Sequence, residues 1–255
     1  MTEMTASLGS FQESDFRVGR ILNRTTSVLS RHLPMFFLVS AVAQLPPLLI
    51  LKAAAMPEGM TSGHSLGRVL AMIGIGIVLT LVLSVLSQAI LLYGAFQDMR
   101  GRQVSLVESL EVGLRRFLPI VGLAIAMTVL VMLAAILLVV PAMILFTMWF
   151  VAAPVCVVEQ LGPSNSMRRS TQLTKGHRWK IFGLGLLLLL ISVVADHAIT
   201  ASLTAIGGEW LAMAGQVIWT GIWGAFYAVA AVVTYHDLRV AKEGVDIHQI
   251  TAVFE

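Results

Sequence analysis

The sequence predicts an all-α, polytopic membrane fold: six transmembrane helices in three hairpins, each preceded by an amphipathic helix on the cytoplasmic side. Three observations predict it. Six long apolar stretches run over Leu33–Leu51, Val69–Phe96, Leu118–Val140, Pro141–Val158, Ile181–Ile206 and Trp210–Tyr235, and a helix crosses the hydrocarbon core with about 20 apolar residues. The composition is 57% hydrophobic and only 12% charged, far from the soluble norm. The basic residues fall in alternate connecting segments. A single membrane domain, 1–255, is expected, because no polar segment is long enough to bury a core of its own.

The elements follow in chain order. From Phe16 to His32, at 100° per residue, Arg17, Arg20, Arg24 and Arg31 fall within an arc of ~60°. Val18, Ile21, Leu22, Val28 and Leu29 form the neighbouring apolar face, which predicts a helix lying in the membrane interface. The 32 mostly polar residues before the first apolar run argue against a cleavable signal peptide. After the second span, Ser105–Leu106–Val107–Glu108 reads as a capping box. It opens a helix with Leu106, Val107, Leu110 and Leu114 on one face and Glu111 paired with Arg115 at i,i+4.

Leu118–Val158 is 41 residues without a charge. As one straight helix it would span roughly 60 Å, twice the hydrocarbon thickness. The chain must turn back, and Pro141 near the middle places a tight outer turn at Val140–Ala142. The third surface helix, Ser164–Lys175, is weakly apolar. Its Arg168 and Lys175 share one side, which predicts a polar binding surface rather than a membrane-buried one.

Charge sets the orientation. Arg17, Arg20, Arg24 and Arg31 precede span 1, and Arg100, Arg102, Arg115 and Arg116 separate spans 2 and 3. Arg168, Arg169, Lys175, Arg178 and Lys180 separate spans 4 and 5, and Arg239 and Lys242 follow span 6. Of the 17 basic residues only Lys52 and Arg68 fall on the other side. Such a bias puts both termini in the cytoplasm. The net charge of +3 then reads as a basic cytoplasmic face suited to anionic headgroups rather than to nucleic acid. Arg17, Arg20, Arg24, Arg31, Arg168, Arg169 and Lys175 are the candidate headgroup ligands. The competing reading is positive-inside charge with no selective ligand.

The chain also repeats. Ser27–Val28–Leu29–Ser30–Arg31–His32–Leu33–Pro34 aligns with Val112–Gly113–Leu114–Arg115–Arg116–Phe117–Leu118–Pro119. Leu173–Thr174–Lys175 gives the Leu–x–basic core a third time. Phe96–Gln97–Asp98–Met99–Arg100 aligns with Tyr235–His236–Asp237–Leu238–Arg239, and Glu159 stands in the equivalent place. The repeating unit is a surface helix, two membrane helices and a closing acid. The acids sit at negative helix ends, where a carboxylate needs a cationic partner, so salt bridges to nearby arginines are expected in preference to catalytic carboxylates.

Other chemistry is sparse. Asp196 and His197 are the ionisable residues well inside an apolar run, and such residues raise a functional-site hypothesis. Asp196 lies past the midplane, and a hydrated cap or interhelical hydrogen bond is preferred to a transport site. Gln44, Gln88 and Gln216 read as interhelical hydrogen-bonding residues, and Gly221, Gly224, Ala225 and Ala228 as helix packing. The six histidines lack metal-ligand spacing, and no nucleophile motif or phosphate-binding glycine loop is visible. The chain is therefore expected to be non-catalytic, without cofactor or metal. Cys156 is the one cysteine, so no internal disulfide can form. Trp179, Trp210 and Tyr235 are placed at helix ends as an interfacial aromatic belt.

The stretch Pro141…Trp149…Ala153–Pro154–Val155…Glu159…Ser170…Leu173–Thr174–Lys175–Gly176 resembles a signature of the YciC-like bacterial inner-membrane proteins. That group is related to the membrane domain of glycerophosphoryl diester phosphodiesterases. Gly101–Ser105 and the ending Tyr235…Asp237…Lys242–Glu243–Gly244–Val245–Asp246 are similar to the same group. Pro141–Ala142 departs from its frequent Pro–Gly. The resemblance implies a six-helix bacterial inner-membrane protein working with envelope or lipid processes, and it carries over no catalytic residue. A small transporter or channel passing Gln44, Gln88, Asp196 and Gln216 is the alternative function.

Overall fold

The computed structural model describes residues 18–55 and 66–243. Arg17 and the ending Gly244–Val245–Asp246 lie outside the described residues. Eight helices account for nearly all of that chain: α1 Val18–Ala55, α2 Leu66–Met99, α3 Leu106–Arg115, α4 Phe117–Leu137, α5 Val139–Trp149, α6 Ala152–Val158, α7 Pro163–Thr174 and α8 Arg178–Glu243. Six stretches are long and apolar enough to cross a membrane: Val18–Gln44, Ile73–Met99, Phe117–Leu137, Val139–Val158, Arg178–Gly208 and Trp210–Glu243. This is the build of a multi-pass membrane protein. Large apolar side chains are exposed along it, from Ile75 and Val78 to Ile136 and Ile206, as a hydrocarbon solvent permits and water does not.

Two long helices are broken where the sequence changes character. His32 leaves helical geometry (φ −123°, ψ 22°) and divides α1 into a basic first part and an apolar second part. Pro34 then falls in the first turn of the second part, where its missing N–H costs nothing. Arg116 (φ −100°, ψ 4°) makes the matching break between α3 and α4, ahead of Pro119. In α8 the break is Gly208, at φ 71°, ψ −166°, a region open essentially to glycine alone. It falls between the fifth and sixth apolar stretches.

The uncharged run of 41 residues breaks at Leu138, which is extended (φ −166°, ψ 143°). The expected turn at Val140–Ala142 is thus displaced upstream. Pro141 becomes the third residue of α5, inside the first turn whose N–H groups have no intrahelical acceptor. The run does return to its starting point. Arg116, just before α4, donates to the Gln160 carbonyl at 2.9 Å and to its Oε1 at 2.6 Å, just beyond α6.

The second half of α8 is the centre of the bundle. Ala228 through His236 is buried without interruption, as a run of small and β-branched residues allows on all sides. Gly221 and Gly224 let α1 approach. A Cβ on Gly221 would stand 3.2 Å from the Phe37 ring, and one on Gly224 2.9 Å from Ser40 Oγ. The packing role expected of these glycines is therefore seen directly.

Candidate functional site

The three closing acids each gather cationic partners. Asp98 receives His32 Nε2 at 2.9 Å and has Arg31 Nη2 at 3.6 Å. Asp237 receives Arg24 at 3.1 Å. Glu159 accepts both of its contacts with Arg169 Nε, at 3.0 and 3.2 Å, and also the Tyr235 hydroxyl at 2.9 Å. Arg169 reaches on to Glu243, which Arg239 also meets at 3.0 Å. Burial pulls the proton affinity of Arg169 down, but the Glu243 and Glu159 carboxylates outweigh it and hold the guanidinium above its usual range. Asp237 lies inside α8, which runs on to Glu243, but Asp98 and Glu159 sit at the ends of their helices, where the helix dipole disfavours an unpaired carboxylate. The arginines answer that, from a different element in every case.

This arrangement divides the candidate headgroup ligands. Arg24, Arg31 and Arg169 are engaged by carboxylates. Arg20, Arg168 and Lys175 are exposed and form no ion pair among the described residues, while Arg17 lies outside them. The faces of the surface helices divide as well. Ile21, Val28 and Leu29 are buried in the core, so the first helix does not offer its apolar face to lipid as expected. It is joined to α8 by the Arg24–Asp237 pair, and that face fills the core instead. On α3 the buried residues are Ser109 and Gly113, whereas Leu106, Val107, Leu110 and Leu114 are 45, 78, 41 and 59% exposed. That apolar stripe is left uncovered by the described residues.

The capping box at α3 forms in half. Ser105 Oγ accepts the Glu108 N–H at 3.3 Å, but Glu108 does not return the bond. Gln97 takes its place, receiving the Ser105 N–H at 3.2 Å while donating to Glu108 at 2.7 Å. Tyr93 donates to the same carboxylate at 2.7 Å. The Glu111–Arg115 pair closes at 2.6 Å on the exposed face. Tyr235 is a correction. Expected in an interfacial belt, it is fully buried, because its hydroxyl serves Glu159, whereas Trp179 and Trp210 are exposed at 86 and 70%.

One feature escaped sequence reasoning. The weakly apolar α7 buries Ser166, Ser170 and Thr174, a small polar stripe at spacing four. Ser170 Oγ donates to the Met148 carbonyl at 2.7 Å, and Thr174 Oγ1 approaches the same oxygen at 3.4 Å. The helical run is interrupted between α5 and α6, which leaves carbonyls there without an intrahelical donor. A polar helix docks at the break and supplies the donors. Arg168 is exposed on α7, and the exposed Lys175 follows at its C-cap.

Within the apolar stretches, Gln216 Nε2 donates to Asp196 Oδ1 at 2.5 Å and Thr200 donates to Gln216 Oε1 at 3.0 Å. These bonds link the two halves of α8 across the Gly208 turn, which is the interhelical role preferred for Asp196 and Gln216. His197 is exposed and bonds the Val193 carbonyl at 2.9 Å, within its own helix. Gln44 and Gln88 are partly buried on α1 and α2.

Comparison of the chain with models of known protein families, with curated proteins and with solved structures finds no match in any of the three.

Proposed function

We propose that the chain is a non-catalytic inner-membrane protein of the YciC-like kind from a bacterium. In this reading its six spans form three hairpins, each preceded by a surface helix, with both termini cytoplasmic. Its basic cytoplasmic face holds anionic lipid headgroups. The observation that carries the reading is the division among the cations. Arg24, Arg31 and Arg169 neutralise the closing acids, while Arg20, Arg168 and Lys175 are exposed and form no ion pair among the described residues. Each such charge contributes about 1 kcal/mol towards an anionic leaflet. The exposed leucines of α3 supply an apolar face for the acyl boundary. A solute path past Asp196 draws no support from this arrangement, since Asp196 and Gln216 bond to one another.

The test is native mass spectrometry of the purified protein with phosphatidylglycerol or cardiolipin against a zwitterionic control. Wild type should retain the anionic lipids preferentially, and joint replacement of Arg20, Arg168 and Lys175 by Gln should reduce that preference. Equal retention of both lipid classes, unmoved by the triple replacement, would leave the cations a topological role only.

A further inference from the structure

We infer that a cleft between α5 and the start of α8 seats one anionic glycerophospholipid, with its phosphate on Arg178 and its acyl chain against α5. The inference rests on the reading of the protein as lipid-associated and names a separate, defined site. The cleft has a volume of about 400 Å³, within the range of about 300–1,000 Å³ usual for ligand pockets. One wall is Val140, Met143, Ile144 and Thr147, the i, i+3, i+4, i+7 face of α5. That face runs for roughly 10 Å along the helix. The other wall is Arg178, Trp179 and Phe182, the first turn of α8. Met143, Ile144 and Trp179 are exposed, so the cleft opens sideways to the surrounding medium, where a lipid would enter.

Three observations select the occupant. First, Arg178 Nε is buried and has no hydrogen-bond partner among the described residues. A guanidinium presents a planar fork of donors that matches phosphate, and a buried donor left without an acceptor is costly. Second, no acid stands among the described residues of its wall. A zwitterionic headgroup would bring an ammonium group with no carboxylate to receive it, while an anionic one meets only the guanidinium. Third, the remaining wall is apolar and its other polar side chain is already engaged, since Thr147 Oγ1 donates to the Ile144 carbonyl at 2.8 Å. One charged contact beside an elongated apolar surface is the chemistry of a phospholipid, not of a free phosphate or a soluble solute. Trp179, stacked edge-on against Phe182 at 6.2 Å, marks the headgroup level as an exposed tryptophan at a span end does. Beside the cleft, Gly185 lets α5 approach α8, since a Cβ there would stand 2.8 Å from the Phe146 ring.

The experiment titrates the full-length protein in detergent with phosphatidylglycerol, and with phosphatidylcholine of the same acyl chains, read by native mass spectrometry. Wild type should hold one phosphatidylglycerol more tightly than the rest, and phosphatidylcholine without that distinction. Arg178→Gln should weaken this one site roughly tenfold, the scale of one charge-assisted contact. Ile144→Trp fills the apolar wall and should remove the distinct phosphatidylglycerol site while leaving the guanidinium intact. Arg168→Gln with Lys175→Gln should leave it unchanged. Wild-type retention of phosphatidylglycerol by both Arg178→Gln and Ile144→Trp would overturn the proposal. Loss only in the Arg168 and Lys175 variant would do the same while sparing the broader lipid reading. Loss only at Arg178 and Ile144 would support the cleft and defeat the diffuse basic face.

Discussion

Glu159 is the residue on which the charged end turns. Its carboxylate meets Arg169 from α7 and the buried Tyr235 from α8, so one side chain ties three elements. Glu159→Gln keeps the shape and removes the charge. It should lower the unfolding free energy by about 2 kcal/mol, the scale of hydrogen bonds to a charged group, measured by chemical denaturation in mild detergent. Glu111→Gln breaks an exposed i,i+4 pair with Arg115 and should change stability by no more than about 0.5 kcal/mol. Equal effects would deny Glu159 its special place. That the closing acids need arginine partners was legible, because a carboxylate at a helix C-terminus is unfavourable alone. Which arginine meets which acid was not. Arg24 and Asp237 are separated by 213 positions, and only tertiary packing brings them together.

At the scale of elements, breaks and faces were legible to different degrees. The break between Ile206 and Trp210 was legible from the ends of the apolar stretches, and Gly208 makes it with a backbone geometry open essentially to glycine. The turn near Pro141 was readable in kind but displaced to Leu138, because a proline belongs inside the first turn it starts. The apolar side of the first surface helix was readable as a face, but not what it faces. Periodicity reports an apolar stripe without distinguishing lipid from protein core. The docking of α7 was hidden in another way, since hydrophobic patterning does not score small polar residues such as Ser166, Ser170 and Thr174. Ser170→Val leaves the Met148 carbonyl without its 2.7 Å donor and should cost roughly 1–3 kcal/mol. Thr171→Val removes a hydroxyl that only bonds back to Met167 in its own helix and should cost far less. If the two variants melt alike, α7 is not held at the α5–α6 break by this bond.

For the whole molecule, the proposed reading is a six-span bundle with the paired charge, α3 and α7 at one end and the Leu138 and Gly208 turns at the other. The contacts from Arg24 to Asp237, Arg31 to Asp98, Arg116 to Gln160 and Arg169 to Glu243 link every basic segment to that one end. The alternation of basic and charge-poor connections predicts this arrangement, and two breaks with opposite chemistry, an extended leucine and a left-handed glycine, are consistent with it. Reporter fusions read it directly. Fusions after Arg102 and Asn165 should report the cytoplasm, and fusions after Leu138 and Gly208 the opposite side. A fusion after Asn165 that reports the same side as one after Leu138 would contradict the return of the chain at Leu138, and with it the single basic face.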